Sequence, residues 1–264
     1  MNEDILRRER DDRGVVTLTL NRPDIRNAFD PDFMTAIRSA FEDLEDDDTV
    51  RVVVLTGEGT AFSAGANLNW MRSMKDYSFE ENVEDSRQLD ALFRTMNHFP
   101  RPVVARVNGA ALGGATGLIA CADIAVASRN AIFGFSETKL GIAPAVISTY
   151  VQPKIGLSNA RRYFLTGERF DADRAFAIGL VHEVCDHDDL DDTTEQVVGE
   201  LLTAGPRAQL AVKELIPKVQ AAASEDESAD QAIPVISRLR VSDEGQEGMA
   251  AFFDKRRPDW HPSS

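Results

Sequence analysis

Cysteine is nearly absent: Cys121 and Cys185 are the only two in 264 residues. A disulfide framework is excluded, and two thiols without a nearby histidine cluster make no zinc site. Positive charge is scarce as well. Lys and Arg number 29 against 44 Asp and Glu, a net charge of −15. That balance argues against sequence-independent nucleic-acid binding, which needs cations to displace counterions, and against docking on anionic membranes. No run approaches the roughly 18 to 20 apolar residues of a membrane span. The amino-terminal stretch MNEDILRRERDDRG is charged and lacks the apolar core of a signal peptide. The expectation is a soluble, cytoplasmic protein in a reducing compartment. No G-x-G-x-x-G follows a strand and no G-x-x-x-x-G-K-[ST] occurs, so phosphate cradles have no support. Ser63 has Ala61 where a nucleophile elbow needs glycine. His98, His182, His187 and His261 are scattered and read as structural, so a covalent or metal mechanism lacks parts and no metal is expected.

What is present is ordinary globular composition, 43% hydrophobic and 28% charged, on a chain long enough for one large domain or two small ones. Val15–Leu20 is a β-branched run that ends in a turn at Asn21-Arg22-Pro23. Asp30-Pro31 reads as an N-cap and first helical position, followed by Phe33, Ile37, Ala40, Phe41 and Leu44 at helical spacing. The runs from Val50 to Thr56 and from Val103 to Val107 are almost continuously apolar, as strands buried on both faces are. Residues 60–67 read as a loop, 72–85 as a polar, mobile segment, and a helix follows to about Phe99. Gly113-Gly114 opens an apolar helix to about Cys121, and two short strands cover 123–128 and 131–135. After Pro144 the pattern is mostly helical, with one late strand at 181–185, Pro217 bending or ending a helix that starts at Pro206, and a last helix from Ser242. The expected organisation is a core over 1–200 and an appended helical subdomain over 201–264.

Two places put small residues directly after a buried strand: Ser63-Ala64-Gly65-Ala66 and Leu112-Gly113-Gly114-Ala115. Small side chains let a ligand approach backbone N–H groups, and Gly113-Gly114 also heads a helix with unused N–H groups. Two convergent donors would stabilise negative charge on a carbonyl oxygen; the same glycines also fit plain tight turns. The second feature is Glu137, in Phe133-Gly134-Phe135-Ser136-Glu137, at the end of an apolar strand. Apolar neighbours disfavour its charged form and suit it to proton transfer; an ion-paired surface carboxylate is the other reading.

Phe62-Ser63-Ala64-Gly65-Ala66-Asn67-Leu68, Val107-Asn108-Gly109-Ala110-Ala111-Leu112-Gly113-Gly114 and Phe133-Gly134-Phe135-Ser136-Glu137 with Leu140-Gly141, in that order, resemble the crotonase superfamily of enoyl-CoA hydratases and isomerases. The likeness continues through Asn27-Ala28-Phe29, Leu165-Thr166-Gly167-Glu168 and the terminal Glu247-Gly248-Met249. It implies an α/β fold, a crotonase-like spiral of ββα units with a carboxy-terminal helical trimerisation region, assembled as a homotrimer or a dimer of trimers. It implies an acyl-CoA thioester substrate whose oxygen is held by the N–H groups of Ala66 and Gly114, with Glu137 as the catalytic acid. Coenzyme A is then part of the substrate and no separate cofactor is expected. Its contacts map onto Arg26, Ala28, Phe29, Ala64, Ala66, Asn67, Leu68 and Gly114, with Phe252 and Lys255 in the tail reaching the nucleotide end.

Two departures matter. Hydratases of the standard pattern carry a first glutamate where this chain has Gly117, and Asn67 stands where an aspartate is usual. A lone glutamate also resembles the isomerases, so hydration of a 2,3-enoyl-CoA and conversion of a 3-enoyl-CoA to a 2-enoyl-CoA both stay open, beside a non-catalytic acyl-CoA or RNA binder. Gly113-Gly114-Ala115-Thr116-Gly117-Leu118 and Ala143-Pro144-Ala145-Val146-Ile147-Ser148 look like bacterial methylglutaconyl-CoA and isohexenylglutaconyl-CoA hydratases of leucine and acyclic-terpene breakdown. A distal substrate carboxylate would want a cation, for which Arg72 and Lys75 are nearby in sequence.

Overall fold

A computed structural model describes residues 5–262. Strand β1 (Leu6–Arg10) pairs antiparallel with β2 (Val15–Leu20), and β3 (Val52–Gly57), β5 (Val103–Val107), β7 (Ile124–Ser128) and β10 (Glu183–Cys185) extend this sheet in parallel, in the order β1-β2-β3-β5-β7-β10. A second, smaller sheet runs β4 (Ala61–Ser63), β6 (Ala110–Leu112), β8 (Ile132–Gly134) and β9 (Arg169–Asp171). The recurring strand, short strand and helix make up the α/β spiral expected of the crotonase-like fold.

The apolar runs behave as read: every residue of β3 is buried. Val53 and Leu55 face the main core, whereas Val52 and Val54 join Val104 and Val126 under α7 (Leu190–Thr203) through Leu190, Val198 and Leu202. Helix α1 (Pro31–Glu45) starts where Asp30 accepts a hydrogen bond from the Phe33 N–H, and it buries Phe33, Ile37, Ala40, Phe41 and Leu44. The remaining helices are α2 (Leu68–Ser73), α3 (Phe79–Asn97), α4 (Gly114–Cys121), α5 (Ala145–Thr166), α6 (Ala172–Ala177), α8 (Pro206–Ala221), α9 (Glu225–Val241) and α10 (Asp243–Phe253).

Several expectations need correction. Within the charged amino-terminal stretch, given no element from the sequence, β1 lies on a sheet edge where Leu6 alone is fully buried. The 72–85 segment is mostly helical. Helix α2 begins at Leu68, and α3 begins at Phe79 behind a reciprocal cap between Ser78 and Glu81. Pro217 does not end α8, which continues to Ala221, and α9 likewise carries Pro234 inside it. Neither α8 nor α9 buries a residue completely, so the carbonyl each proline leaves unpaired can reach water. Residues 61–63, read within a loop, and 110–112 and 169–171, for which the sequence pattern gives no strand, are three-residue strands of the second sheet.

Candidate active site

Strands β4, β6 and β8 are parallel, with Ser63 beside Ala111 and Leu112 beside Gly134. Their carboxy-terminal ends therefore share one edge, and the three segments singled out in the sequence leave the sheet together. Gly65 is buried against the second of them: a Cβ on it would lie 2.7 Å from the Leu112 carbonyl oxygen. Its φ of +84° is one that only glycine adopts without strain. Gly113 (φ +53°) heads α4, and its N–H donates to the Gly134 carbonyl at 2.9 Å.

Phe29 joins the two turns. Its N–H donates to the Gly65 carbonyl and its own carbonyl accepts from the Asn67 N–H, both at 2.7 Å, making an isolated parallel bridge with Ala66. In such a bridge one residue makes both hydrogen bonds, so the Ala66 N–H is turned away from Phe29. The Phe29 ring, 1% exposed, lies under Gly114, where a Cβ would meet its Cε2 at 2.9 Å. Ala66 is exposed and Gly114 half-buried. Gly114 is in the first turn of α4, where the N–H has no acceptor within the helix. Two amides on adjoining turns are thus free of backbone partners, which is what holding one oxyanion requires.

Glu137 stands on a 3-10 turn (Ser136–Leu140) beyond β8, not on the strand itself. Phe135, fully buried between Phe164 and Phe170, anchors the segment. The carboxyl rests against the glycine turn, and a Cβ on Gly113 would lie 3.3 Å from Glu137 Oε1. Glu137 is half-buried, its Oε2 is buried without a hydrogen-bond partner, and it takes part in none of the ion pairs among the described residues. Desolvation pushes its pKa above the usual carboxylate value, opposed by a weaker backbone hydrogen bond. This is a carboxyl poised to exchange a proton.

The segment 26–29 is set by Asn27. Fully buried, it accepts from the Arg22 N–H and donates to the carbonyls of Glu58 and Ala61. Arg26 is exposed, Ala28 and Phe29 are buried, Ala64 is half-buried with its N–H on the Arg26 carbonyl, and Leu68 is exposed. The Asn67 side chain is occupied in capping α2, accepting from the N–H groups of Asn69 and Trp70. The Trp70 indole N–H in turn donates to Asp85 on α3 at 3.2 Å. Arg72 donates to Asn69 Oδ1 at 3.1 Å, and both Arg72 and Lys75 are exposed. Phe252, at the end of α10, and Lys255, just beyond it, are exposed. The histidines engage locally: His182 Nδ1 accepts from the Ala125 N–H, and His187 meets Ser128.

Residues that the sequence reading missed stand at Gly117. A Cβ there would lie 2.6 Å from Phe93 Cζ and 2.8 Å from Ile147 Cγ2, so these two apolar side chains fill the space of a second carboxylate. In the sequence they have only the helical periodicity of ordinary core residues. A recess of about 550 Å³ lies elsewhere, between the first sheet and α7. Several of its charges are matched in pairs, Arg106 with Asp191 at 2.7 Å and Arg13 with Asp11 at 2.8 Å.

Gly65 sets the turn just before Ala66 at φ +84°, so Gly65→Ala is expected to shift the Ala66 N–H from its present position, which would cost an oxyanion held there one donor. Loss of one such donor corresponds to about 10²- to 10³-fold in kcat, measurable by steady-state kinetics beside a thermal melt; unchanged kcat in the folded variant would remove Ala66 from the oxyanion role.

A family model described as enoyl-CoA hydratase/isomerase matches residues 10–263. A putative enoyl-CoA hydratase of Thermus thermophilus is 34% identical over 92% of this chain and 96% of its own length. A trans-2-decenoyl-[acyl-carrier-protein] isomerase of Streptococcus mutans is 29% identical over 94% of each. The crystal structure of an enoyl-CoA hydratase from Shewanella pealeana superposes with a TM-score of 0.94 at 40% identity, covering 98% of this chain and 97% of that one.

Proposed function

This chain belongs to the enoyl-CoA hydratase/isomerase family, an enzyme family acting on acyl thioesters, and from that premise we propose that it adds water across the 2,3 double bond of an acyl-CoA. The observation that carries the reading is the Glu137 carboxyl, half-buried, unpaired and resting against the glycine turn next to Ala66. The thioester oxygen sits between the N–H groups of Ala66 and Gly114. Ionised Glu137 takes a proton from water as the oxygen of that water bonds to C3. The electron pair of the double bond moves toward the thioester, and the two amides hold the resulting enolate oxygen. Glu137 then gives the proton to C2, so the sum is addition of one water and the carboxylate is regenerated. Coenzyme A enters as part of the substrate. Arg26, Ala28, Phe29, Ala64, Asn67 and Leu68 line its approach, with Phe252 and Lys255 reaching its nucleotide end from a neighbouring subunit.

The acyl group we propose is branched and carboxylated, as in 3-methylglutaconyl-CoA or its isohexenyl analogue. Its support is the sequence likeness through 113–118 and 143–148, together with Arg72 and Lys75 on the segment after Ala66. Exposed Val212, Ile216, Ile233, Ile236 and Phe253 on the last three helices support assembly as a homotrimer or dimer of trimers. No helix among the described residues is long and apolar enough to cross a membrane, in keeping with a cytoplasmic site of action.

A second reading rests on Gly117. With Phe93 and Ile147 in place of a second carboxylate, Glu137 alone could carry a proton from C2 to C4 and make the protein a 3-enoyl-CoA to 2-enoyl-CoA isomerase. Ultraviolet assays with crotonyl-CoA, 3-methylglutaconyl-CoA and a 3-enoyl-CoA separate the two. We expect loss of the 2-enoyl thioester absorbance, fastest with 3-methylglutaconyl-CoA. Its appearance from the 3-enoyl substrate alone would replace hydration by isomerisation.

A further inference from the structure

The stretch Leu165-Thr166-Gly167-Glu168 lies at the end of α5 and not on the edge where the three site segments meet. It makes a closed corner. Gly167 ends the helix in a left-handed conformation, φ +58°, with its N–H donating to the Tyr163 carbonyl at 3.0 Å. Arg162 pairs with Glu168 across the corner at 2.7 Å, and the Glu168 N–H donates to Thr166 Oγ1 at 3.2 Å.

The turn that carries Glu137 rests on this corner. A Cβ on Gly167 would stand 3.0 Å from Thr138 Oγ1 and 3.1 Å from Lys139 Cγ, on the two residues that follow the acid. Ahead of the acid, the Phe135 ring packs edge-on to Phe164 of α5 with centroids 4.9 Å apart, and lies 5.9 Å from Phe170 of β9. Phe170 in turn meets Tyr163 at 4.4 Å. Residues 162–170 thus hold the chain on both sides of Glu137, while its carboxyl rests against Gly113.

Resting on the reading of Glu137 as the catalytic acid, we propose that Gly167 is a positioning residue for the reaction. Its missing side chain lets the Ser136–Leu140 turn seat on the end of α5, and that seat sets where the Glu137 carboxyl stands. A methyl group at 167 forces a neighbour to give. Lys139 is exposed and swings away. Thr138 is half-buried and, being β-branched, stiff about its first torsion, so the push passes into the backbone beside Glu137. A displacement of about 1 Å at a reacting group costs on the order of 10²-fold in rate.

Gly167→Ala is therefore expected to lower kcat with crotonyl-CoA by about tenfold. The calorimetric dissociation constant of butyryl-CoA should not change, because the acid acts in the chemistry and not in holding the thioester. Trimming Thr138 and Lys139 to alanine in that background removes the atoms the methyl group meets and should restore most of the lost kcat, a rescue that general damage would not show. Gly141→Ala separates contact from strain: Gly141 is also left-handed, at φ +77°, but a Cβ there has nothing within 4 Å. An equal fall of kcat in Gly141→Ala would assign the effect to backbone strain and overturn the proposal. Should Gly167→Ala not fold, Phe164→Leu loosens the same seat without a positive φ and should show the same loss of kcat at unchanged affinity. Glu137→Gln is assayed alongside. If it loses turnover while the folded seat variants keep the parental kcat, the seat has no positioning role and the proposal falls. Full turnover in Glu137→Gln would instead sink the acid reading on which it rests.

Discussion

Glu137→Gln is expected to lower kcat by about 10²- to 10⁴-fold, the usual contribution of a positioned acid or base, while the protein stays folded. The amide keeps the shape of the side chain but can neither take a proton from water nor give one to carbon. Folding should not suffer, because the carboxylate is the strained form. Its Oε2 is buried without a partner and burial raises its pKa. The sign of the linkage follows from that direction. An acid whose folded pKa is raised binds its proton more tightly in the folded protein than in the unfolded chain, so its burial penalty grows as pH rises through the raised value. At neutral pH the variant should therefore melt at or slightly above the parent temperature, and the gain should vanish in acid. The same shift moves the acidic limb of the rate profile. Activity that needs ionised Glu137 should rise with pH through a midpoint above that of an ordinary glutamate, and the limb should be missing from whatever activity Glu137→Gln retains. Full turnover in the variant would remove Glu137 from the mechanism.

Gly117→Glu is expected to act on the fold before it acts on the chemistry. Its Cβ would lie 2.6 Å from Phe93 Cζ and 2.8 Å from Ile147 Cγ2, closer than packed side chains tolerate. Overfilling a core in this way costs about 1 to 3 kcal/mol. A carboxyl set against a phenyl ring and an isoleucine also loses its hydration without a partner, which adds on the order of 1 to 3 kcal/mol. Calorimetry should show a melting temperature lower by about 10 °C. Adding Phe93→Ala makes room and should return part of that loss, while placing a second carboxylate on the helix headed by the Gly113 turn that Glu137 rests against. That double variant asks whether a paired-acid site can be rebuilt here. A Gly117→Glu protein that melts like the parent would show that Phe93 and Ile147 move aside freely, against the close packing at Gly117.

The elements that were legible in the sequence are those with enough length to show a period. Helix α1 announces itself by the Asp30-Pro31 start and five apolar residues at helical spacing, and β3 by a run buried on both faces. The segments that position the site are shorter. Strands β4, β6 and β9 have three residues each, less than is needed to tell alternation from chance. They exist because neighbouring chain supplies their hydrogen bonds, not because of any local preference. Ser78 with Glu81 is a cap that local spacing does reveal, yet the polar composition of 72–85 hid it.

At the site the division is similar. Glycines 65 and 113 could be read as turn formers, since their place after apolar runs already points to backbone that other residues avoid. The acid could be singled out at Glu137 from its apolar neighbours. Composition and residue order were enough to exclude a disulfide scaffold and a nucleotide-phosphate cradle, to name the family likeness, and to mark one carboxyl and two amide-bearing turns as the parts worth bringing together. Only the tertiary structure decided that they do meet. Three parallel strands end on one edge, and Phe29 bridges Ala66 while its ring supports Gly114. It also decided that Phe93 and Ile147, from helices far apart in the chain, stand where a second carboxylate would be. Those facts depend on which distant surfaces pack, and packing is set by contacts between segments that no local pattern records.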